Sequence, residues 1–450
     1  MMSSQKSLAE TSPSTEGLKT VQKTEKKGIF SHMNNVVVSC MVGNALEWYD
    51  FAIYGFFAEI IGRQFFPSSS PVAQLLMSLG IFAIGFLARP AGAIIFGQMG
   101  DKVGRKDALM YSIYLMAIPT ALIGMLPGYN TLGMLAPVTL IFLRILQGIA
   151  IGGEFTGSIV FLVEHAQKNE RGLAGSWASF SLLAGVLIGS GVAALFASIL
   201  TAEQLETFGW RIPFIISVFG SLVGTYMRRN LVDPEVFRQA KAKQKESKMD
   251  LKVLFSTEYK RISVVMLLDF MNAVGFFLVI IFMPVFFKTF LDFPAHVAQT
   301  IHTFNMIVFA VMTVVGGQLS DRFGRKVFVK YPALFLIFAS YPLFALFQPE
   351  QYVTAFAIEL IFSVVLGAFF GALPALLCEI FSTRTRFSGV SIGHNLSMAL
   401  FGGTTPMIAT HVINVWDNLA APAVILIVAS ILTLLSLHYI EEMSGKPLAD

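Results

Sequence analysis

A charge placed at mid-membrane depth is costly, so ionisable side chains inside long apolar runs are the first residues to explain. Glu47 and Asp50 lie three apart in one such run, hence on one helical face. Arg144 lies in a later run, roughly 12–15 Å from its outer end at the rise of a helix. A carboxylate facing an arginine is a proton-coupling device. It stays ionised beside the cation and takes a proton when the cation is engaged elsewhere. Asp50, Arg144 and Glu47 are therefore the expected proton-coupling set; the alternative is a permanent ion pair tying two helices.

Arg89 stands in another apolar run and is followed by Pro90. Proline frees the carbonyl of Phe86 and lets a helix bend there. A guanidinium grips a carboxylate with two parallel hydrogen bonds, which lysine cannot copy. Arg89 is the expected anion binder, with an internal salt bridge to Glu47 or Glu59 as the alternative. Asp269 with Asn272, and Glu359, are further intramembrane polar groups. Tyr49, Tyr54, His394 and Asn395 are candidate hydrogen-bonding partners for a solute. His302 and His411 read more simply as packed residues.

Composition fixes the kind of element that must hold these groups. The 450 residues are 55% hydrophobic and only 13% charged, with 42 Phe, against about 25% charged in soluble domains. That excludes an ordinary soluble enzyme, a disordered protein and a nucleic-acid binder. Cys40 and Cys378 both sit in apolar runs, giving neither a disulfide framework nor a zinc site. Twelve apolar runs are expected as helical spans at 36–64, 73–98, 108–127, 134–162, 173–200, 210–227, 262–288, 297–319, 328–347, 353–380, 388–412 and 420–439. The runs are continuous rather than alternating, which excludes a barrel.

Basic residues outside the spans gather in alternate segments: Lys102, Arg105 and Lys106; Lys168 and Arg171; Arg228 to Arg261; Arg322, Arg325 and Lys326; Arg384 and Arg386. The intervening segments hold little beyond Arg63, Arg211 and Lys288. The positive-inside rule then puts both termini in the cytoplasm. The halves also repeat. Gly97–Lys106 reads GQMGDKVGRK and Gly317–Lys326 reads GQLSDRFGRK. Glu164 and Arg171 recur as Glu379 and Arg386, and Asp50-Phe51 as Asp269-Phe270, at nearly the same displacement. Such repeats are a signature of transporters whose solute site lies between the halves. The expected organisation is a disordered cytoplasmic tail (1–30), a six-helix bundle (31–227), a basic linker (228–258) and a second six-helix bundle with a short tail (259–450).

The paired loops resemble the signature of the major facilitator superfamily, G-x-L-x-D-R-x-G-R-K. The segments GNALEWYDFAIYG at 43–55, FLARPAGA at 86–93, RILQGIAIGGE at 144–154, EHAQKNERG at 164–172 and HNLSMALFGGTTP at 394–406 resemble its metabolite:proton symporters. That branch includes carriers for proline and betaine, 2-oxoglutarate, shikimate and citrate. Proton-coupled sugar porters are similar in keeping a span-one Asp and a span-four Arg. Where relatives often have Glu-Ser-Pro after span six, this chain has Asp233-Pro234-Glu235.

The resemblance implies an all-α membrane protein of two pseudo-symmetric bundles. It also implies proton-coupled uptake of a small carboxylate-bearing solute, an organic acid or a proline/betaine-type osmolyte, by alternating access. A proton-antiporting exporter is the alternative, and a membrane-embedded enzyme a weaker one, because no catalytic or nucleotide motif is visible. Asp101, Arg105, Glu164 and Arg171, with Asp321, Arg325, Glu379 and Arg386, are the expected latches of the inner gate. No cofactor and no metal are expected. The expected partners are the solute, protons and lipid, for a monomer in the inner membrane.

Overall fold

The computed structural model describes residues 15–67, 70–229, 231–242 and 251–449, and among these there is helix but no strand. Twelve spans follow one another: α1 (Asn35–Phe56), α2 (Met77–Lys102), α3 (Arg105–Met125), α4 (Leu135–His165), α5 (Arg171–Ile199), α6 (Arg211–Arg229), α7 (Leu254–Phe290), α8 (Ala295–Phe323), α9 (Val327–Ala345), α10 (Tyr352–Glu379), α11 (Arg386–Trp416) and α12 (Pro422–Tyr439). Of these, α6 qualifies as a span together with the short helical stretch Ala202–Gly209, to which it is bent by 47°. The first run is expected to be one helix to residue 64. It breaks instead at Phe57, and Ala58–Phe65 forms a separate amphipathic helix. Residues 1–14 of the expected tail lie outside the described residues. From Thr15 the backbone is helical and runs on into α1; extending an existing helix through good helix formers requires no new nucleus.

Small residues set how closely the spans approach. A Cβ on Gly148 or Gly152 of α4 would overlap the backbone of Gly85 or Arg89 on α2, so the two helices cross with backbones in contact. Gly371 packs in the same way on Thr313 of α8. Across the middle of the molecule, Gly172 of α5 meets Gly317 of α8, each standing where the other's carbonyl leaves no room for a side chain. Further contacts pair α2 with α11, α4 with α11 and α5 with α10.

These crossings lie toward one membrane face, the one bearing the basic α2–α3 and α8–α9 loops, here called the basic face. Gly97 abuts Ser388, Gly157 abuts Phe387 and Gly175 abuts Pro374. Two spans depart from regular α-helix at mid-depth. α7 is π-helical over Phe276–Phe282 and α11 over Met398–Gly402, and Gly402 lies directly against Phe277. Local π-turns of this kind are frequent at functional sites.

Candidate functional site

Arg89 is buried at the centre, where α2 meets α4 and α11. Its Nε donates to Asn395 Oδ1 at 2.9 Å. Asn395 in turn donates to the carbonyls of Gly152 on α4 at 2.9 Å and of Ser391 at 2.8 Å. One amide thus fixes the arginine stem from the opposite half of the molecule. The fork of the guanidinium, Nη1 and Nη2, is buried without a hydrogen-bond partner among the described residues. Two orphaned charged donors at a buried site are costly unless an anion or water engages them. The rings of Phe86 and Trp48 flank the guanidinium carbon at 5.5 and 6.0 Å. Trp48 also meets Phe276 of α7 edge-on, with centroids 5.4 Å apart.

Acidic groups complete the site. Asp269 on α7 accepts from Asn272 Nδ2 at 2.9 Å. His394 Nδ1 lies 3.0 Å from Asp269 Oδ2 without hydrogen-bond alignment, and the His394 ring leans on Phe155 of α4. Glu47 on α1 is buried with both oxygens unpaired. Glu47 and Asp269 are the acids whose charge reaches Arg89. The expected salt bridge from Arg89 to Glu47 or Glu59 does not form: Arg89 is held by Asn395, and Glu59 pairs with Arg63 at 2.6 Å at the surface. The centre is amphoteric, with a fork for a carboxylate, two carboxylates and aromatic faces.

Asp50 and Arg144 are joined through intermediaries rather than directly. Arg144 Nη1 donates to Gln147 Oε1 at 2.8 Å, Gln147 Nε2 donates to Thr120 Oγ1 at 2.7 Å, and Thr120 donates to Asp50 Oδ2 at 3.1 Å. Tyr54 lies under the Arg144 guanidinium, its ring centroid 4.1 Å from Cζ, and donates to the Ser78 carbonyl at 3.2 Å. Tyr49, expected near the solute, donates instead to the Pro213 carbonyl of α6 at 3.0 Å. The rotation of α1 in the bundle places it on the side facing α6. Glu359 is held on α8–α10 by His302 and Asn305, and neither it nor they touch Arg89.

The basic face is closed by two related clusters. Arg105 pairs with Asp101 at 2.6 Å and with Glu164 at 3.1 Å, and donates to the Thr383 carbonyl of the other half at 2.7 Å. Arg386 of α11 reaches Glu164 at 2.6 Å. Asp101 accepts from the amides of Phe387 and Ser388, at the first turn of α11. In the mirror cluster Arg325 pairs with Asp321 at 2.7 Å, and Asp321 accepts from the amides of Gly172 and Leu173, both at 2.9 Å, at the first turn of α5. Each aspartate therefore caps a helix of the opposite half, where the positive dipole end favours it. The second glutamate is held more loosely: Glu379 lies 3.5 Å from Arg325 and 3.7 Å from Arg171.

Two segments brace this face. Phe237, in the helix Glu235–Ala242 of the linker, lies buried 4.5 Å from the Arg105 guanidinium carbon. The chain after α12 crosses the seam. Glu442 accepts from the amides of Arg325 and Lys326. The carbonyl of Lys446 accepts from Arg171 at 2.8 Å, and that of Ala449 accepts from Thr383 and Arg386.

Sequence reasoning missed several participants. Glu154 is buried against Arg228 of α6 and Ser112 of α3, although Arg228 reads in sequence as part of the linker. Thr120 and Gln147 are neutral and gave no charge signal. The bridge between Thr156 and Ser391 hydroxyls, 2.7 Å apart across α4 and α11, is likewise invisible in sequence.

The profile of the Major Facilitator Superfamily matches residues 40–403 and 265–445. The glycine betaine/proline/ectoine/pipecolic acid transporter OusA of Dickeya dadantii and the proline/betaine transporter of Escherichia coli K12 are each 32% identical over 425 residues, covering 92% of this chain and 85% of theirs. Among solved structures, the proton:xylose symporter XylE bound to 6-bromo-6-deoxy-D-glucose superposes with a TM-score of 0.79 at 20% identity, covering 93% of this chain and 98% of that one. For the inward open conformation of XylE from E. coli the TM-score is 0.64 at 20% identity, with the same coverages.

Proposed function

The chain belongs to the Major Facilitator Superfamily and is a multi-pass membrane transporter; from that premise we propose that it couples proton entry to uptake of a small zwitterionic carboxylate, of the proline or betaine type, by alternating access. The observation that carries this reading is the free fork of Arg89, held from behind by Asn395. A solute carboxylate takes Nη1 and Nη2, while a cationic nitrogen finds Asp269, Glu47 and the faces of Trp48 and Phe276. A lipophilic cation, the cargo of many exporters of this fold, has no use for that fork. The names of the relatives support the solute class, and the Asp50–Arg144 relay supports the proton. Proteoliposome counterflow of radiolabelled proline and glycine betaine, with xylose and citrate as controls, tests the assignment. Exchange of the zwitterions alone is the expected result, and exchange of citrate alone overturns it.

In this reading the basic face is cytoplasmic and the buried clusters are its gate. Opening requires Glu164 to release Arg386, and Asp101 and Asp321 to release the helices that they cap. The chain after α12 must leave Arg171 and Arg386 at the same time. Cys378 is buried one turn from Pro374, on the face of α10 that meets α5, and so reports on the seam. In a Cys40→Ser background, deleting residues 441–449 is expected to raise Cys378 alkylation by maleimide several-fold, with the solute still bound. An unchanged rate would make this segment a passenger on the gate.

A further inference from the structure

Half of the buried carboxylates in the described residues are paired with arginine: Glu154 with Arg228, Glu164 with Arg105 and Arg386, Glu258 with Arg261, and Glu379 with Arg171 and Arg325. Arginine keeps its proton throughout the biological range, so the cation of such a pair is permanent. Two buried pairs use histidine, whose charge does change in that range. One, His394 with Asp269, belongs to the solute site. The other is not used by anything described above.

Glu359 is 0% exposed on α10, and His302 on α8 is 4% exposed. His302 Nδ1 and Glu359 Oε1 are 2.8 Å apart, and Asn305 Nδ2 donates to Oε2 at 3.0 Å. Both residues lie about two turns from the helix ends opposite the basic face. The polar strip continues past them: Asn305 Oδ1 and, one turn along α10, Ser363 Oγ are buried without partners.

The bookkeeping of protons makes the pair special. With one shared proton it is neutral overall, as imidazolium and carboxylate or as imidazole and carboxylic acid. Loss of that proton leaves one negative charge in an apolar site, and gain of another leaves one positive charge, and both are costly there. No third charge stabilises either state. α5, packed on both helices, has Arg171 at its basic end as its one charged group. α7 brings Glu258, Lys260, Arg261, Asp269 and Lys288; α9 brings Lys330, Tyr331 and Tyr341. α4 brings Arg144, Glu154, Glu164 and His165, and α11 brings Arg386, His394 and His411. On the two helices themselves the other titratable groups are His296, Asp321, Arg322, Tyr352, Cys378 and Glu379. None of these is hydrogen-bonded or ion-paired to His302 or Glu359 among the described residues.

We propose that His302 and Glu359 form a second proton-binding site, distinct from Asp50, which holds one proton between Nδ1 and Oε1 while dry and exchanges it only when water reaches it from the outer side. Its use in transport rests on the proton-coupled reading above; its protonation does not. The test is therefore in two parts. Infrared pH-difference spectroscopy of the purified, solute-free protein reads imidazole and carboxyl signals without any transport. Glu359→Gln and His302→Gln should each erase the same band pair, and the double variant should erase nothing more. The double variant leaves no unpaired charge, so it keeps the test open if the single variants fold poorly. Proteoliposome uptake of proline and glycine betaine with a pH indicator then counts protons per solute, and each variant should move about one proton fewer. Bands unchanged in all three variants overturn the site. Unchanged bands with no proton movement in the wild type would overturn the coupled reading as well. Bands lost with proton count intact would leave a protonation site without a transport role, and so sink its coupling.

Discussion

Solute binding to the purified protein is expected to be lost in Arg89→Ala and severely weakened in Arg89→Lys, with the fold retained in both. The fork of Arg89 can give a carboxylate two charge-assisted hydrogen bonds, each worth about 1.5–3 kcal/mol. Alanine removes both, so affinity should fall by roughly 10²-fold or more. Lysine keeps a charge but not the planar fork, and it also gives up the Nε bond to Asn395. It should therefore lose at least tenfold, by the same arithmetic. Folding should survive because Nη1 and Nη2 have no partner to strand among the described residues, only Asn395 Oδ1 loses a hydrogen bond, and removing a buried charge relieves a desolvation cost. Calorimetry with proline and glycine betaine measures the affinities, and thermal unfolding checks the fold. Unchanged affinity in both variants would leave Arg89 as a structural charge. Asn395→Ala gives a graded control: it frees the arginine stem without removing the fork, so binding should weaken less.

Much of this arrangement was legible in the chain, for physical reasons. Membrane burial forces long apolar runs, so the spans stood out, and any charge inside a run was visible by its cost. The paired DxxGRK loops exposed the repeat and hence the charged residues that cluster at the basic face. What was not legible was the identity of partners. Asp101 and Asp321 were visible beside helix ends, but the helices they cap belong to the opposite half, which no local pattern encodes. Asn395 read as a solute contact; its actual bonds run to Arg89 and to the Gly152 carbonyl. Glu359 read as unpartnered and His302 as a packed residue, because the two are brought together by the α8–α10 crossing and not by sequence spacing. Tyr49 faced the wrong way because a helical face can be deduced from spacing, but the rotation of that helix in the bundle cannot.

The two gate clusters differ in a way that bears on alternating access. Glu164 is gripped by Arg105 and Arg386 at hydrogen-bond distance, whereas Glu379 sits 3.5–3.7 Å from its arginines. Breaking a buried pair is strongly destabilising, so a gate with two tight clusters would lock shut. As a gate, one tight and one loose cluster, supplemented by backbone bonds from the segment after α12, would keep the closed state favoured but reversible. Two states of similar free energy are what a carrier needs.

Asp50→Asn is expected to remove about one proton from each transport cycle, and the accumulation that proton drives, while leaving counterflow intact. Thr120 has one hydroxyl hydrogen and two acceptors within reach, Asp50 Oδ2 at 3.1 Å and the Met116 carbonyl at 2.8 Å. When Asp50 is ionised, the hydroxyl serves it. When Asp50 carries a proton, that proton can be donated to Thr120, whose own hydrogen swings to Met116. Gln147, bonded to the same hydroxyl, passes the change to Arg144. The occupancy of one carboxylate is thereby felt by a guanidinium on another helix, and asparagine, fixed in the neutral form, freezes that exchange. A gradient of one pH unit is worth about 1.4 kcal/mol per proton, which supports roughly tenfold accumulation for each proton coupled. In proteoliposomes with an imposed gradient of one pH unit, the variant should accumulate roughly tenfold less solute than the wild type, yet exchange label at close to the wild-type rate, because exchange moves no net proton. Accumulation with normal pH dependence would transfer the role to His302 and Glu359, the remaining buried pair outside the solute site whose cation can give its proton up.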